Sequence, residues 1–136
     1  MVARSKPYHL LIADDDAAFR EVLCEILGPY VDLMEAASGE EAIEIVEHTR
    51  VDILLLDMHM DVLTGLETLQ IVKAKLIIEP CILITADVTD ELIRDAGEAE
   101  AFSVLSKPVR KSELVDTVST ALADAYSDPN ALALNN

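Results

Sequence analysis

The chain has 2 cysteines, 10 basic residues against 26 acidic ones, and no apolar run that approaches transmembrane length. Each shortage removes a class of function. Cys24 and Cys81 lie inside the apolar patterns "EVLCEIL" and "EPCILIT". Two lone cysteines in such settings read as small buried hydrophobes in a reduced compartment, not as a disulfide or a metal pair. The formal net charge is -16, and no basic stripe exists through which the chain could bind nucleic acid directly. The opening "MVARSKPYH" carries no apolar core of signal-peptide length, so a cytoplasmic chain without a membrane span is expected. Internal repeats and low-complexity segments are absent.

What remains is a 136-residue chain with 51 % hydrophobic and 26 % charged residues, enough for one globular domain that buries a core without staples. The patterned part runs over residues 8–126. Residues 1–7 form an extension, and the tail 127–136, "SDPNALALNN", has too little pattern to assign.

Short apolar runs alternate with segments of helical period. Leu10–Ala13 is a continuous apolar run, the signature of a strand covered on both faces. Phe19, Val22, Leu23, Ile26 and Leu27 then repeat at helical spacing until "GPY" stops them. Val31–Ala36 reads as a second strand. Ser38, with Glu41 three residues on, opens a second helix that runs to about His48. "VDILLLD", Val51–Asp57, is the most hydrophobic strand, and Gly65–Ala74 is helical. Cys81–Ala86 forms a fourth strand, and Thr89 and Asp90 can cap the helix after it. "AFSVLSKP" supplies a fifth strand, and Leu114, Val115, Val118, Ala121 and Leu122 mark a last helix ending near Tyr126. Five strands alternating with five helices predict an α/β fold, a doubly wound parallel sheet with right-handed crossovers.

In such a sheet the functional crevice lies at the C-terminal ends of the strands. The residues that close the strands therefore matter most. They are Asp14, Asp15 and Asp16 after the first, Asp57 after the third, Thr85 after the fourth and Lys107 after the fifth. Carboxylates converging on one edge repel one another unless a cation sits among them. A hard divalent ion such as Mg²⁺, which prefers oxygen ligands, suits them. Asp57 could be both ligand and nucleophile, carrying a phosphoryl group as an acyl phosphate. Lys107 would offset charge on the transferring group, and Thr85 could donate a hydrogen bond to it. Asp16 directly precedes a helix and is as well placed to cap it as to bind a cation.

The pieces "LIADDD", "ILLLDMHM", "TGLE", "ILITA" and "LSKP" occur in this order. In order and spacing the sequence resembles the receiver domains of bacterial two-component response regulators (CheY-like) over roughly Tyr8 to Tyr126. The resemblance implies a flavodoxin-like five-stranded sheet of order 2-1-3-4-5. It implies Asp57 as phosphoacceptor, Asp15 as the direct acidic ligand of Mg²⁺, and Asp14 as an acid reaching the metal through water. It gives His59 as a ligand through its backbone carbonyl, Thr85 as the switch hydroxyl and Lys107 as the phosphate-contacting lysine. It also implies that phosphoryl lifetime depends on the side chains of His59 and Asp87. The expected partner is a histidine kinase or a histidine phosphotransfer protein, with a protein target downstream and self-directed chemistry only, not an enzyme in the ordinary sense. No DNA-binding or catalytic segment follows the last helix in this sequence, so the expected action is through partner binding or as a relay stage.

Four positions depart from the family's pattern. Asp61 stands where proline is frequent, Thr64 where aspartate often precedes the glycine, and Glu100 where a small residue is common. Val104 replaces the usual aromatic of the fifth strand, which puts the usual output switch in question. Three alternatives stay open. An aspartyl-phosphate hydrolase would need a second acid two residues after the nucleophile, where His59 stands. A flavin- or nucleotide-binding protein would need a glycine- or hydroxyl-rich loop after the first strand, where "DDDAAF" stands. A degenerate receiver used as a docking module is disfavoured by the retention of Asp14, Asp15, Asp57, Thr85 and Lys107.

Overall fold

The computed structural model describes residues 8–75 and 80–132, so the extension 1–7 and the last four residues of the tail lie outside the described residues. The chain alternates β1 (His9–Ala13), α1 (Ala17–Leu27), β2 (Asp32–Ala36), α2 (Gly39–His48), β3 (Ile53–Asp57), α3 (Gly65–Lys75), β4 (Cys81–Thr85), α4 (Asp90–Glu98), β5 (Ser103–Ser106) and α5 (Lys111–Tyr126). All strand pairs are parallel, and the sheet order is β2-β1-β3-β4-β5.

Burial explains why the apolar runs are where they are. β3 and β4 are buried along their whole length and β1 nearly so, whereas β2 and β5, at the sheet edges, are only partly buried. Strand periodicity splits the core into two layers. Leu10, Ile12, Ile53, Leu55, Ile82 and Ile84 face α1 and α5. Leu11, Ala13, Leu54, Leu56 and Leu83 face the layer that holds Ala42, Leu69 and Ala96, from α2, α3 and α4. Each fully buried Leu or Ile contributes roughly 2 kcal/mol of transfer free energy.

Two strands begin later than their apolar patterns. β2 starts at Asp32 rather than Val31, and β3 at Ile53 rather than Val51. The second difference has a local cause. Asp52 turns inward, and its carboxylate accepts the His9 N–H at 2.7 Å and Arg50 Nε at 3.0 Å.

The end of the chain carries structure that its composition does not announce. Ser127 takes a left-handed conformation (φ 51°) that turns the chain off α5. Asp128 then accepts the Tyr8 hydroxyl at 2.7 Å, and Ala131 and Leu132 pack into the α1/α5 core layer. The Tyr8 and Tyr126 rings stack with centroids 5.4 Å apart, and the Tyr126 hydroxyl donates to the Asp52 carbonyl at 2.7 Å. Both cysteines are free. Burial pushes the Cys81 thiol up to about 12, as expected of a structural apolar side chain. Among the described residues no helix is long and apolar enough to cross a membrane.

Candidate functional site

β1 ends against the first turn of α1, and its three acids take three different places. Asp16 is the N-cap of α1: its side chain accepts the N–H groups of Ala18 and Phe19 at 3.0 and 3.3 Å. Asp14 turns inward and is 1 % exposed, with Oδ1 accepting the Asp16 N–H at 2.8 Å. Asp15 stays exposed on the rim. Asp57, from the end of β3, is buried beside them, and Asp14, Asp15 and Asp57 each bring one oxygen to within 4.8 Å of the others. The opening cluster is thus one capping acid and two acids that converge with a third from β3.

The compensating cation comes from the far edge of the sheet. Lys107 follows β5, and its Nζ lies 3.1 Å from Asp57 Oδ1 and 3.3 Å from Asp14 Oδ2. The Lys107–Pro108 peptide bond is cis. The contact with Asp14 is a hydrogen bond. The contact with Asp57 is an ion pair off the hydrogen-bonding direction, so the buried Asp57 Oδ1 has no hydrogen bond among the described residues. Burial raises the pKa of Asp14, and the Asp57 charge adds to it, against the opposing effects of the Asp16 N–H and Lys107. Burial alone would lower the pKa of Lys107, but its two carboxylates outweigh it and hold the ammonium above its usual value. Among the described residues one ammonium therefore contacts two of the three clustered acids. An all-oxygen donor set with a buried, unbonded carboxylate oxygen fits a hard divalent cation.

Two further groups hold this arrangement and had no mark in the sequence. The Phe19 ring lies under Lys107 Nζ, 4.2 Å from its centroid, a cation–π contact that keeps the ammonium over the acids. Arg20 donates through Nη1 to the Asp14 carbonyl at 2.6 Å and through Nε to Glu35 at 3.0 Å, tying the end of β1 to β2. Both sit in the first turn of α1, where a helical repeat reads them only as a core and a surface residue.

The hydroxyl on β4 is engaged elsewhere. Thr85 is fully buried, and its Oγ1 accepts the Asp87 N–H at 3.1 Å and lies 3.3 Å from His59 Nε2. His59 stands in the loop after β3, two residues past Asp57, and is an exposed residue. Its side chain therefore reaches Thr85, in addition to whatever its carbonyl does.

That loop is shaped by Gly65 and Thr64. A Cβ on Gly65 would collide with the Asp57 carbonyl and come within 3.1 Å of Met58 Cα, so only glycine lets α3 start this close to the acid. Thr64 and Glu67 exchange reciprocal bonds, Glu67 N–H to Thr64 Oγ1 at 3.1 Å and Thr64 N–H to Glu67 Oε1 at 2.9 Å. This is a capping box, so threonine does the capping work of the aspartate it replaces. Val62, 83 % exposed, has φ 63° at the centre of a tight turn closed by the Leu63 N–H and the Asp61 carbonyl. A β-branched residue in that region is strained. Glu100 (φ 64°) likewise occupies the left-handed position after α4, which accounts for the small residue expected there.

The model of the response regulator receiver domain family matches residues 10–119. The transcriptional regulatory protein PdtaR of Mycobacterium tuberculosis is 31 % identical over 119 residues, which cover 86 % of this chain and 58 % of that protein. The sensory/regulatory protein RpfC of Xanthomonas campestris is 31 % identical over 121 residues, 85 % of this chain and 17 % of RpfC. The chain thus spans less than two thirds of either relative. Among solved structures, chemotaxis protein CheY4 of Vibrio cholerae superimposes with a TM-score of 0.80 at 24 % identity, covering 85 % of this chain and 99 % of that one. A CheY-like receiver domain protein from Methanospirillum hungatei gives 0.82 at 22 % identity, covering 90 % and 98 %. Those structures speak for the fold, whose strand order is the one found here. With the family's model matched across most of its length, the chain belongs to the response regulator receiver domains of two-component signalling.

Proposed function

We propose that this receiver domain is phosphorylated on Asp57 in a Mg²⁺-dependent reaction, with a histidine kinase or a histidine phosphotransfer protein as phosphodonor. The observation that carries the reading is Asp57 itself. It is a buried carboxylate with one oxygen free of hydrogen bonds among the described residues, facing an ammonium at 3.1 Å and two further acids.

Asp15 and Asp57, with the His59 carbonyl, would hold the ion directly, and Asp14 through water. When bound, Mg²⁺ supplies positive charge that screens the acids from one another and from an incoming phosphoryl group. The chain's own residues do the rest. A carboxylate oxygen of Asp57 attacks phosphorus, forming the O–P bond of an acyl phosphate as the bond to the donor's imidazole nitrogen breaks. Lys107, already poised between Asp14 and Asp57, turns to the phosphoryl oxygens and offsets their charge. Phe19 keeps its ammonium from swinging into solvent. Thr85 offers its hydroxyl to a phosphoryl oxygen. The domain assists its own phosphorylation and dephosphorylation and is otherwise a signalling module, acting in the cytoplasm on a protein partner.

Val104 bears on how the signal leaves the site. It is half-buried beside Ala101, in the layer that holds Ala96, and brings no ring that could rotate into space vacated by Thr85. Movement of Thr85 and of the loop after β4 is then the route by which phosphorylation reaches a partner.

The test is intact-mass measurement after incubation with acetyl phosphate and Mg²⁺. Wild type gains one phosphoryl group, and Asp57→Asn gains none. An adduct of equal yield on Asp57→Asn would reject the assignment. No adduct on either protein would leave a docking module that works without phosphate.

A further inference from the structure

The Thr85 hydroxyl has one proton and is already fully engaged. Asp87 N–H donates to Oγ1 at 3.1 Å, the Asp87 carbonyl lies 3.4 Å away, and His59 Nε2 lies 3.3 Å away. The two partners differ in kind. Asp87 stands two residues on, in the loop that follows β4, whereas His59 comes from the loop after β3 and links the ends of two strands through side chains alone. We propose that the His59 imidazole is a tether that holds the Thr85 hydroxyl in its unphosphorylated position, and that phosphorylation must break this contact. The inference rests on the reading of Asp57 as phosphoacceptor.

Exposure makes the tether releasable. Thr85 is fully buried, so its hydroxyl needs a partner at all times, while His59 is an exposed residue whose ring can be hydrated once it lets go. A buried pair would have locked the switch. At 3.3 Å the contact is long, which suits a bond meant to lose to a charged phosphoryl oxygen, a stronger acceptor by about a factor of two. Whichever group carries the shared proton, drawing Oγ1 toward Asp57 opens the contact. His59 is thus a positioning residue: it touches the switch hydroxyl, not the reacting atoms. With valine at position 104, this side-chain link is a device by which the two loops can sense each other's state.

Two measurements on the full chain test the proposal. The first needs no phosphoryl group. The ¹⁵N shifts of the His59 ring, recorded by long-range ¹H–¹⁵N NMR, should change between wild type and Thr85→Val. Unchanged shifts overturn the tether whatever Asp57 does. The second is titration with Mg²⁺–beryllofluoride, a mimic of the acyl phosphate. His59→Ala should bind it about two- to tenfold more tightly than wild type, the range one net hydrogen bond spans. His59→Gln, whose amide can reach the hydroxyl, should return toward wild type. In a Thr85→Val background the His59→Ala effect should vanish, because a double-mutant cycle isolates the pair. An equal effect in both backgrounds means that the ring acts by bulk or by shielding the site, and the tether fails. If beryllofluoride does not bind wild type, it is the Asp57 reading that fails, and the ring shifts alone decide the tether.

Discussion

At the N-terminal edge of the sheet, Asp52 is buried with its carboxylate satisfied by a backbone N–H and by Arg50, and Asp128 accepts a tyrosine hydroxyl. At the C-terminal edge, Asp14 and Asp57 are buried as deeply as Asp52, share one ammonium, and leave Asp57 Oδ1 without a hydrogen bond among the described residues. One residue type in one fold thus meets opposite treatment at the two ends of the same strands. The lower edge satisfies its acids from within and uses them to close the chain, joining Tyr8, Tyr126 and the segment after α5. The upper edge gathers three acids that could hold a metal ion, with one ammonium in contact with two of them among the described residues. A buried carboxylate by itself therefore says little about function. What separates the two edges is whether the fold completes its partners.

The contrast breaks if Asp52 proves dispensable. Asp52→Ala strands the His9 N–H, and it should cost about 2–3 kcal/mol of stability, read from urea unfolding. A neutral result would mean that the lower edge is no better satisfied than the upper.

Asp14 should respond with the opposite sign. Its pKa is raised in the folded state, so folding binds a proton that the unfolded chain gives up near the ordinary value of 3.8. Stability therefore falls as pH rises from there through the raised value, and the full penalty stands at neutral pH. Asp14→Asn can keep the bond from the Asp16 N–H while removing the charge. In EDTA at pH 7 it should raise the midpoint of urea unfolding, with the gain shrinking toward pH 4. A loss of stability at pH 7 would place Asp14 with the structural acids.

The strand ends were legible because each apolar run stops at its functional residue. "LLIA" runs into Asp14 and "ILLL" into Asp57, so hydrophobic patterning alone carries both acids to one edge. Asp16 was half legible: its place before a helix suited a cap as well as a ligand, and only the structure separates the two uses. The Thr64–Glu67 capping box was visible in "TGLE" but reads as a departure when aspartate is expected. The rest lies in contacts between distant side chains, which no local period encodes. Tyr8 meets Asp128 across the whole domain, Phe19 meets Lys107 from the opposite end of the chain, and His59 meets Thr85 between two loops. Val62 could not have been foreseen as strained, since nothing in "MDVLTG" marks a valine that takes a positive φ.

The claim that the upper edge is built around a cation is tested most directly by Mg²⁺ titration followed by NMR in wild type, Asp14→Ala and Asp15→Ala. Saturable shifts should centre on residues 14, 15 and 57–59 in wild type. Affinity should fall by about tenfold or more in Asp15→Ala, where a direct ligand is lost, and by less in Asp14→Ala. Equal Mg²⁺ affinity in wild type and Asp15→Ala would contradict the account.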